Sequence, residues 1–339
     1  MSQTIIASLG RIADFHSRSY DVAAIEPSEW QGGDYVEAEV VGESTELYHV
    51  EDTAGAMHDV RAGDRIIGAF GHRAATLEGV GSWKDIRDGR MQAMTSAGLF
   101  GTFTSLSTFL PAPLALEYVG HVVRNGRKVR MSEFALKSLH GRFATPTILL
   151  VGTSMSAGKT ATGTFVVSDL SRRGLDIIGA KLTGAGRYRD ILSFEAAGAT
   201  AIMDFVDAGL PSTIVDEDEF RDAIRHVLFA IDERQPDFLV AEAGASPLEP
   251  YNGEAAIDEL GSNVACTILC ASDPYAVLGV QTAFGLVPDI VSGPATTTSA
   301  GRELVTRLTG VPACNILDQE SARAFRKILY ERVGLAIRK

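Results

Sequence analysis

The residues best equipped for chemistry lie in one short run, Gly152-Thr-Ser-Met-Ser-Ala-Gly158-Lys159-Thr160. Glycines at both ends let a chain turn tightly and come close to a ligand. Backbone N–H groups of such a loop converge on phosphate oxygens, and a helix opening at its end adds a favourable dipole. Lys159 supplies a point charge for β- and γ-phosphates, and the Thr160 hydroxyl is a ligand for Mg²⁺. Gly152, Thr153, Ser154, Ser156, Ala157, Gly158, Lys159, Thr160 and Thr162 are therefore the expected phosphate-binding set. The alternative is a glycine turn that happens to precede a lysine, and the flanking pattern argues against it. Ile148-Leu-Leu-Val151 reads as a buried strand, and 160–173 as a helix.

Five residues separate the two glycines, one more than in the common phosphate-loop pattern. That longer loop, with Thr after the first Gly, resembles dethiobiotin synthetase and its P-loop relatives, including the cobyrinate amidase-type ligases. The resemblance covers residues 146–320 and does not extend to the first 140. It implies an ATP- and Mg²⁺-dependent enzyme that phosphorylates a carboxylate or carbamate and then closes or amidates it. It also implies roles for residues further along. A lysine after the second strand meets the substrate and the transferred phosphate, which points to Lys181 following Ile177-Ile-Gly-Ala180. Asp190 resembles a second acidic Mg²⁺ or substrate position, although a helix-capping aspartate looks the same. Glu242, in Phe238-Leu-Val-Ala-Glu-Ala-Gly-Ala-Ser-Pro247, resembles a strand-end glutamate beside the phosphates that holds Mg²⁺. Asn315, in Gly310-Val-Pro-Ala-Cys-Asn315, lies where relatives carry base recognition, with a turn asparagine as the plainer reading. The expected catalytic residues are thus Lys159, Lys181 and Glu242, and the expected metal ligands Thr160, Asp190 and Glu242. The resemblance further implies a homodimer.

A second resemblance rests on Phe205-Val-Asp-Ala-Gly-Leu-Pro-Ser-Thr213 and Pro288-Asp-Ile-Val-Ser-Gly293. Both are similar to a P-loop family that includes D-amino-acid N-acetyltransferases. It implies an acyl-CoA-dependent N-acyltransferase holding the cofactor pyrophosphate on the same loop. That family often has Arg after Gly-Lys, whereas Thr160 stands here and favours a Mg-nucleotide. A nucleotide-gated regulatory protein is the third reading.

The elements that must position these groups fall into two textures. Up to about residue 140 the chain has short alternating runs broken by Gly, such as Tyr35-Val-Glu-Ala-Glu-Val-Val41. Tyr118–Val123, the turn pair Asn125-Gly126 and Lys128-Val-Arg-Met131 read as a β-hairpin. Several such strands predict a small barrel or sandwich. The run 99–109 is apolar and hydroxyl-rich and fits neither pattern. From Thr145 onward strands alternate with helices, which predicts a parallel, doubly wound α/β sheet. Strands are expected at 148–151, 176–180, 238–241, 266–270 and 289–292, and helices at 160–173, 220–234 and 321–333. The stripe Phe220, Ala223, Ile224, Val227, Leu228, Ile231 marks one helix face. The expected domains are a β-rich one at 1–143 and a P-loop domain at 144–339.

Composition bounds the partners. The chain has 339 residues, 45% hydrophobic and 22% charged, with a formal net charge of −12. That balance suits a soluble enzyme with a small-molecule substrate and argues against nucleic acid or an anionic membrane as a partner. Three cysteines, Cys266, Cys270 and Cys314, imply no disulfide framework and fit a cytoplasmic location. Cys266 and Cys270 read as core. No start-of-chain signal pattern and no run long enough to span a bilayer is seen. The seven histidines are scattered without zinc-ligand spacing. His72 follows a predicted strand and reads as solvated or satisfied rather than substrate-facing. The acidic run Asp216–Glu219 reads as dipole complement to the helix after it.

Overall fold

The computed structural model describes residues 2–43, 49–137, 141–244 and 246–336. Among the described residues twelve strands lie ahead of residue 147: β1 (Thr4–Ile6), β2 (Asp21–Ala23), β3 (Tyr35–Val40), β4 (Val50–Glu51), β5 (Met57–His58), β6 (Arg65–Phe70), β7 (His72–Ala75), β8 (Gly79–Ser82), β9 (Arg90–Thr95), β10 (Leu99–Leu106), β11 (Ala115–Arg124) and β12 (Arg127–Lys128). The remainder is β13 (Thr147–Gly152), α1 (Lys159–Ser171), β14 (Ile177–Thr183), α2 (Tyr188–Ala196), β15 (Ala201–Asp204), α3 (Glu217–Asp232), β16 (Phe238–Ala243), α4 (Gly253–Leu260), β17 (Val264–Cys270), α5 (Pro274–Phe284), β18 (Ile290–Ser292), α6 (Ser299–Thr309) and α7 (Gln319–Arg332).

In the β-rich half, strand neighbours run β6-β3-β11-β9-β10, and β10 pairs back onto β6. The ring closes as a five-stranded barrel. Closure removes open edges, so short strands of mixed polarity suffice. The barrel interior is filled by Val36, Ala38, Val40, Ile66, Phe70, Met91, Phe100 and Leu116. The run 99–109, unassigned from its pattern, supplies the closing strand: Leu99 and Phe100 pair in parallel with Ala69 and Phe70. Gly68 sits at this seam, where a Cβ would lie 2.3 Å from the Gly98 carbonyl oxygen. The expected hairpin forms with a shorter second arm, β12, than the 128–131 run predicted. Asn125 and Gly126 both take positive φ, 50° and 72°, as a two-residue turn of right twist requires.

In the second half six parallel strands are ordered β15-β14-β16-β13-β17-β18. This is the expected α/β sheet with β13 at its centre. Every residue of β13, β14 and β16 is buried, which is why these strands read as unbroken apolar runs rather than alternating ones. The stripe on α3 is buried at Phe220, Ile224, Val227, Leu228 and Ile231, and Ala223 is half-buried beside it. The helix begins at Glu217, earlier than predicted, because three acids form its first turn where the backbone N–H groups are unsatisfied. β14 runs to Thr183, three residues past the predicted end, so Lys181 lies inside the strand and not after it. Cys266 and Cys270 sit in the core as expected.

The chain divides into two compact units, and the division is not a single cut. Residues 1–137 form one unit together with 184–189 and 205–219. The other comprises 138–183, 190–204 and 220–339, so the expected boundary at 143/144 falls within its first segment.

Candidate functional site

The glycine loop leaves β13 at its carboxyl end and enters α1, as the motif requires. Gly158 holds φ 90°, a left-handed conformation that suits glycine, and places Lys159 as the first helical residue. Gly152 is equally constrained: a Cβ there would sit 2.5 Å from Lys159 Nζ and 2.9 Å from the Ser154 carbonyl oxygen. The lysine chain therefore folds back over Gly152. Its amine donates to the carbonyls of Ser154 (2.7 Å) and Met155 (3.3 Å). The loop is braced from the neighbouring strand end. Thr153 N–H donates to the Cys270 carbonyl at 3.0 Å, and Ser272 N–H donates to Thr153 Oγ1 at 3.1 Å. Thr162 Oγ1 donates to Ser292 Oγ at 3.3 Å, and Gly293 packs against the Ala157 carbonyl. Ser272 and Ser292 were not singled out by sequence; Ser272 follows β17, the neighbour of β13, and Ser292 ends β18, the strand beyond β17, and that strand-end position was the available signal.

The strand order then brings the predicted residues together. β13, β14 and β16 are neighbours, and Glu242 is in register with both Leu150 and Lys181. Thr160 Oγ1 donates to Glu242 Oε2 at 3.0 Å. Lys181 Nζ is 2.5 Å from Asp190 Oδ2, in the first turn of α2. Asp190 is therefore an ion-pair partner and not a helix cap. Lys159, Lys181 and Glu242 are all less than 5% exposed. Gly244 completes the wall, since a Cβ there would meet the Thr183 carbonyl at 2.0 Å and Lys181 Cε at 2.9 Å.

Two buried lysines and two carboxylates share this volume, and their proton affinities show the balance. Burial lowers the Lys159 amine below the ordinary lysine value, with Lys181 adding to the effect and Glu242 opposing it. Burial also acts against charge on Lys181, but Asp190 and Glu242 outweigh it and hold that amine above the ordinary value. Glu242 is pushed up by burial and by Asp190, while Lys159, Lys181 and the Thr160 hydroxyl pull it back. A buried carboxylate with raised proton affinity beside a hydroxyl is a hard-oxygen donor pair that a divalent cation satisfies in place of the proton. The residues fit Mg²⁺ held together with a phosphate ligand. Among the described residues no group of three or more His, Cys, Asp or Glu gathers into a cation site made of protein ligands alone. Mg²⁺ bound by one or two protein oxygens plus phosphates needs no such group.

Asn315 lies in the turn before α7. Its Oδ1 accepts from Leu317 N–H at 3.0 Å, and its own N–H donates to Ser321 Oγ at 2.7 Å. Its segment is nonetheless linked to the loop region, because Thr296 Oγ1, three residues after Gly293, donates to the Cys314 carbonyl.

No family model matches the chain, and no curated protein matches it. Solved structures similar to it include the hydrogenase maturation factor HypB from Archaeoglobus fulgidus, 13% identical, covering 56% of this chain and 91% of that one with a TM-score of 0.40. HypB from Helicobacter pylori is 16% identical over 58% of this chain and 92% of its own, with a TM-score of 0.38. The ParA family ATPase from Chlorobium tepidum is 12% identical over 56% and 93%, with a TM-score of 0.32. No helix among the described residues is long and apolar enough to cross a membrane.

Proposed function

We propose that the chain binds a Mg-nucleoside triphosphate, ATP in the first instance, on the 152–160 loop and transfers its γ-phosphoryl group to a small molecule. One observation carries this reading. Lys159, Thr160, Lys181, Glu242 and Asp190 converge at the carboxyl end of a parallel sheet, where doubly wound folds bind ligands.

Loop N–H groups and the α1 N-terminus receive phosphate oxygens. Lys159 exchanges the Ser154 and Met155 carbonyls for β- and γ-phosphate oxygens. Thr160 and Glu242 hold Mg²⁺ directly or through water. When bound, that ion neutralises charge on the phosphates. Lys181, kept protonated by Asp190, neutralises charge on the transferring group. Catalysis of this kind is positioning and electrostatics, which needs no covalent nucleophile. Asn315 has its amide oxygen committed to Leu317, leaving its Nδ2 as the group able to meet a base. The Thr160–Glu242 contact favours a metal-bound nucleotide over the pyrophosphate of an acyl-CoA, which needs no such pair.

The test is calorimetric titration of the purified protein with ATP, with and without Mg²⁺, beside an acetyl-CoA titration, followed by a metabolite panel scored for phosphorylated product. Mg-dependent binding and a phosphorylated acceptor are expected. Stabilisation by acetyl-CoA alone, or slow hydrolysis with no acceptor in the panel, would overturn the phosphotransfer reading.

A further inference from the structure

A second candidate site lies within the β-rich unit, built from residues that the phosphate loop does not use. It is a cavity of about 500 Å³, lined by Gly32, Gly71, His72, Trp83, Lys84, Arg130 and the 209–215 segment. That size accommodates a small organic ligand. Three features specify its chemistry. The first is bare backbone: four of the lining residues, Gly32, Gly33, Gly71 and Gly209, add no side chain to the walls. At Gly71 a Cβ would meet Leu99 Cδ1 at 2.3 Å and the Pro211 ring at 3.3 Å.

The second is a fixed flat surface. Phe70 lies against Trp83 with ring centroids 6.0 Å apart and planes 13° from parallel. His72 flanks the indole at 6.3 Å. Burial, then Lys84, lower the His72 pKa, so its imidazole is neutral at physiological pH.

The third is a pair of cations, one of them rigidly mounted. Arg130 Nε is 3.2 Å from Asp34 Oδ1, and its NH2 donates to the Gly32 carbonyl at 3.3 Å. Asp34 is fully buried and is itself held by Lys128 (2.7 Å), His121 (3.2 Å) and Gln31 N–H (2.9 Å). His121 is oriented in turn by Tyr118 O–H at 2.6 Å from Nδ1. These bonds fix the carboxylate, and its charge, at ion-pair distance from Nε, orients the guanidinium to present a fork to a planar anion. Lys84 adds an exposed second charge 5.8 Å from the Trp83 ring. Glu219 is the one acid among the lining residues.

We propose that this cavity is a binding site for a small planar aromatic carboxylate, its ring on Trp83 and its carboxylate on Arg130 and Lys84. The site is independent of nucleotide binding and stands or falls separately from it.

The chain has two tryptophans, and Trp30 is buried with its Nε1 on the Ile25 carbonyl, so Trp83 is the one that a ligand in this cavity quenches. Nicotinate is the probe, with the isosteric neutral amide nicotinamide and the non-aromatic cyclohexanecarboxylate as comparators, each titrated by fluorescence of the full chain. Saturable quenching by nicotinate is expected, with at least tenfold weaker binding of both comparators. Trp83→Phe should abolish the signal, while isothermal calorimetry on that variant still detects binding. Arg130→Gln should weaken nicotinate at least tenfold, and Arg130→Lys, which keeps the charge and loses the fork, should fall between. Circular dichroism melts check that each variant is folded. Equal affinity for acid and amide, or Arg130 variants that are folded and bind as the parent does, would overturn the proposal. So would the absence of quenching by nicotinate up to about 10 mM, tenfold above a millimolar Kd.

Discussion

Replacing Lys159 by Met separates its role in the fold from its role in ligand binding. The substitution keeps an unbranched, flexible side chain one atom shorter and removes one charge. In the fold the amine is buried against two carbonyls, and its burial disfavours the charged form. Losing those two hydrogen bonds costs about 1–3 kcal/mol together, and relief of the buried charge offsets part of that. Stability should therefore change by no more than about 2 kcal/mol. The pH dependence has a definite sign. A lysine whose folded pKa lies below its unfolded value is a liability while protonated, and that liability lifts as pH rises from the folded value to the unfolded one. The parent should gain stability over that alkaline window, and Lys159→Met should gain less. Binding is another matter. A unit charge about 4 Å from a phosphate oxygen, at the effective dielectric of such sites, is worth about 4 kcal/mol, or about a thousandfold in affinity. Titration calorimetry with MgATP, alongside urea denaturation at neutral and alkaline pH, reads both quantities. A variant that binds MgATP within tenfold of the parent would refute the placement of phosphate on this lysine.

Three further outcomes are expected. Gly244→Ala puts a methyl group 2.0 Å from the Thr183 carbonyl and 2.9 Å from Lys181 Cε, so it should lower stability by about 1–3 kcal/mol in urea melts and reduce nucleotide-dependent turnover; an unchanged midpoint and rate would show that the wall yields freely. Glu51→Gln should cost about 2–4 kcal/mol, because the fully buried carboxylate accepts from Ser8 Oγ (2.5 Å) and from Tyr188 and Arg189 N–H (2.8 Å each) at the start of α2, and an amide cannot accept all three; denaturation of the purified variant measures it, and a loss under 1 kcal/mol would contradict it. Asp34 is raised by burial but more strongly lowered by its bonds to His121 and Lys128, so its folded pKa lies below the unfolded one. Its stabilising contribution is complete above the unfolded carboxylate value near 4 and fades as pH falls through the folded value. Asp34→Asn should therefore flatten the acid limb of the stability curve, and an acid limb as steep as the parent's would disprove that assignment.

The second half was legible because its signals are local. A loop whose glycines sit 152–158, flanked by an apolar strand and a helix, has few other structures available, and β13, the loop and α1 form as read. Lys181 and Glu242 were legible as residues at the ends of predicted strands, but their adjacency depends on strand order β14-β16-β13, which no local pattern carries. For the same reason Asp190 could not be distinguished from a helix cap: the choice depends on whether Lys181 stands within reach. The barrel was visible only as a texture of short strands. Its closing contact, Phe100 to Phe70, joins positions 30 residues apart through a parallel pairing that has no turn signature. Arg130, Asp34 and His121 are ordinary polar residues in sequence, and only the convergence of β11, β12 and the loop before β3 makes them a relay.

The β-rich unit takes in 184–189 and 205–219 as well as the first 137 residues. Within it Thr213 and Gly184 exchange bonds, Leu136 N–H reaches the Asp207 carbonyl, and Glu51 waits for the amides of 188 and 189. On the ribosome these partners are made long after the barrel strands have emerged. Until residue 189 is synthesised, Glu51 is a carboxylate without its helix amides, and until 215 the wall made by 209–215 is missing from the aromatic cavity. The N-terminal unit therefore matures late, after three strands of the following sheet, β13, β14 and β15, are already translated. Pulse-labelled nascent chains stalled near residue 145 should be degraded by added protease far faster than chains stalled beyond 219 by at least the length of the exit tunnel.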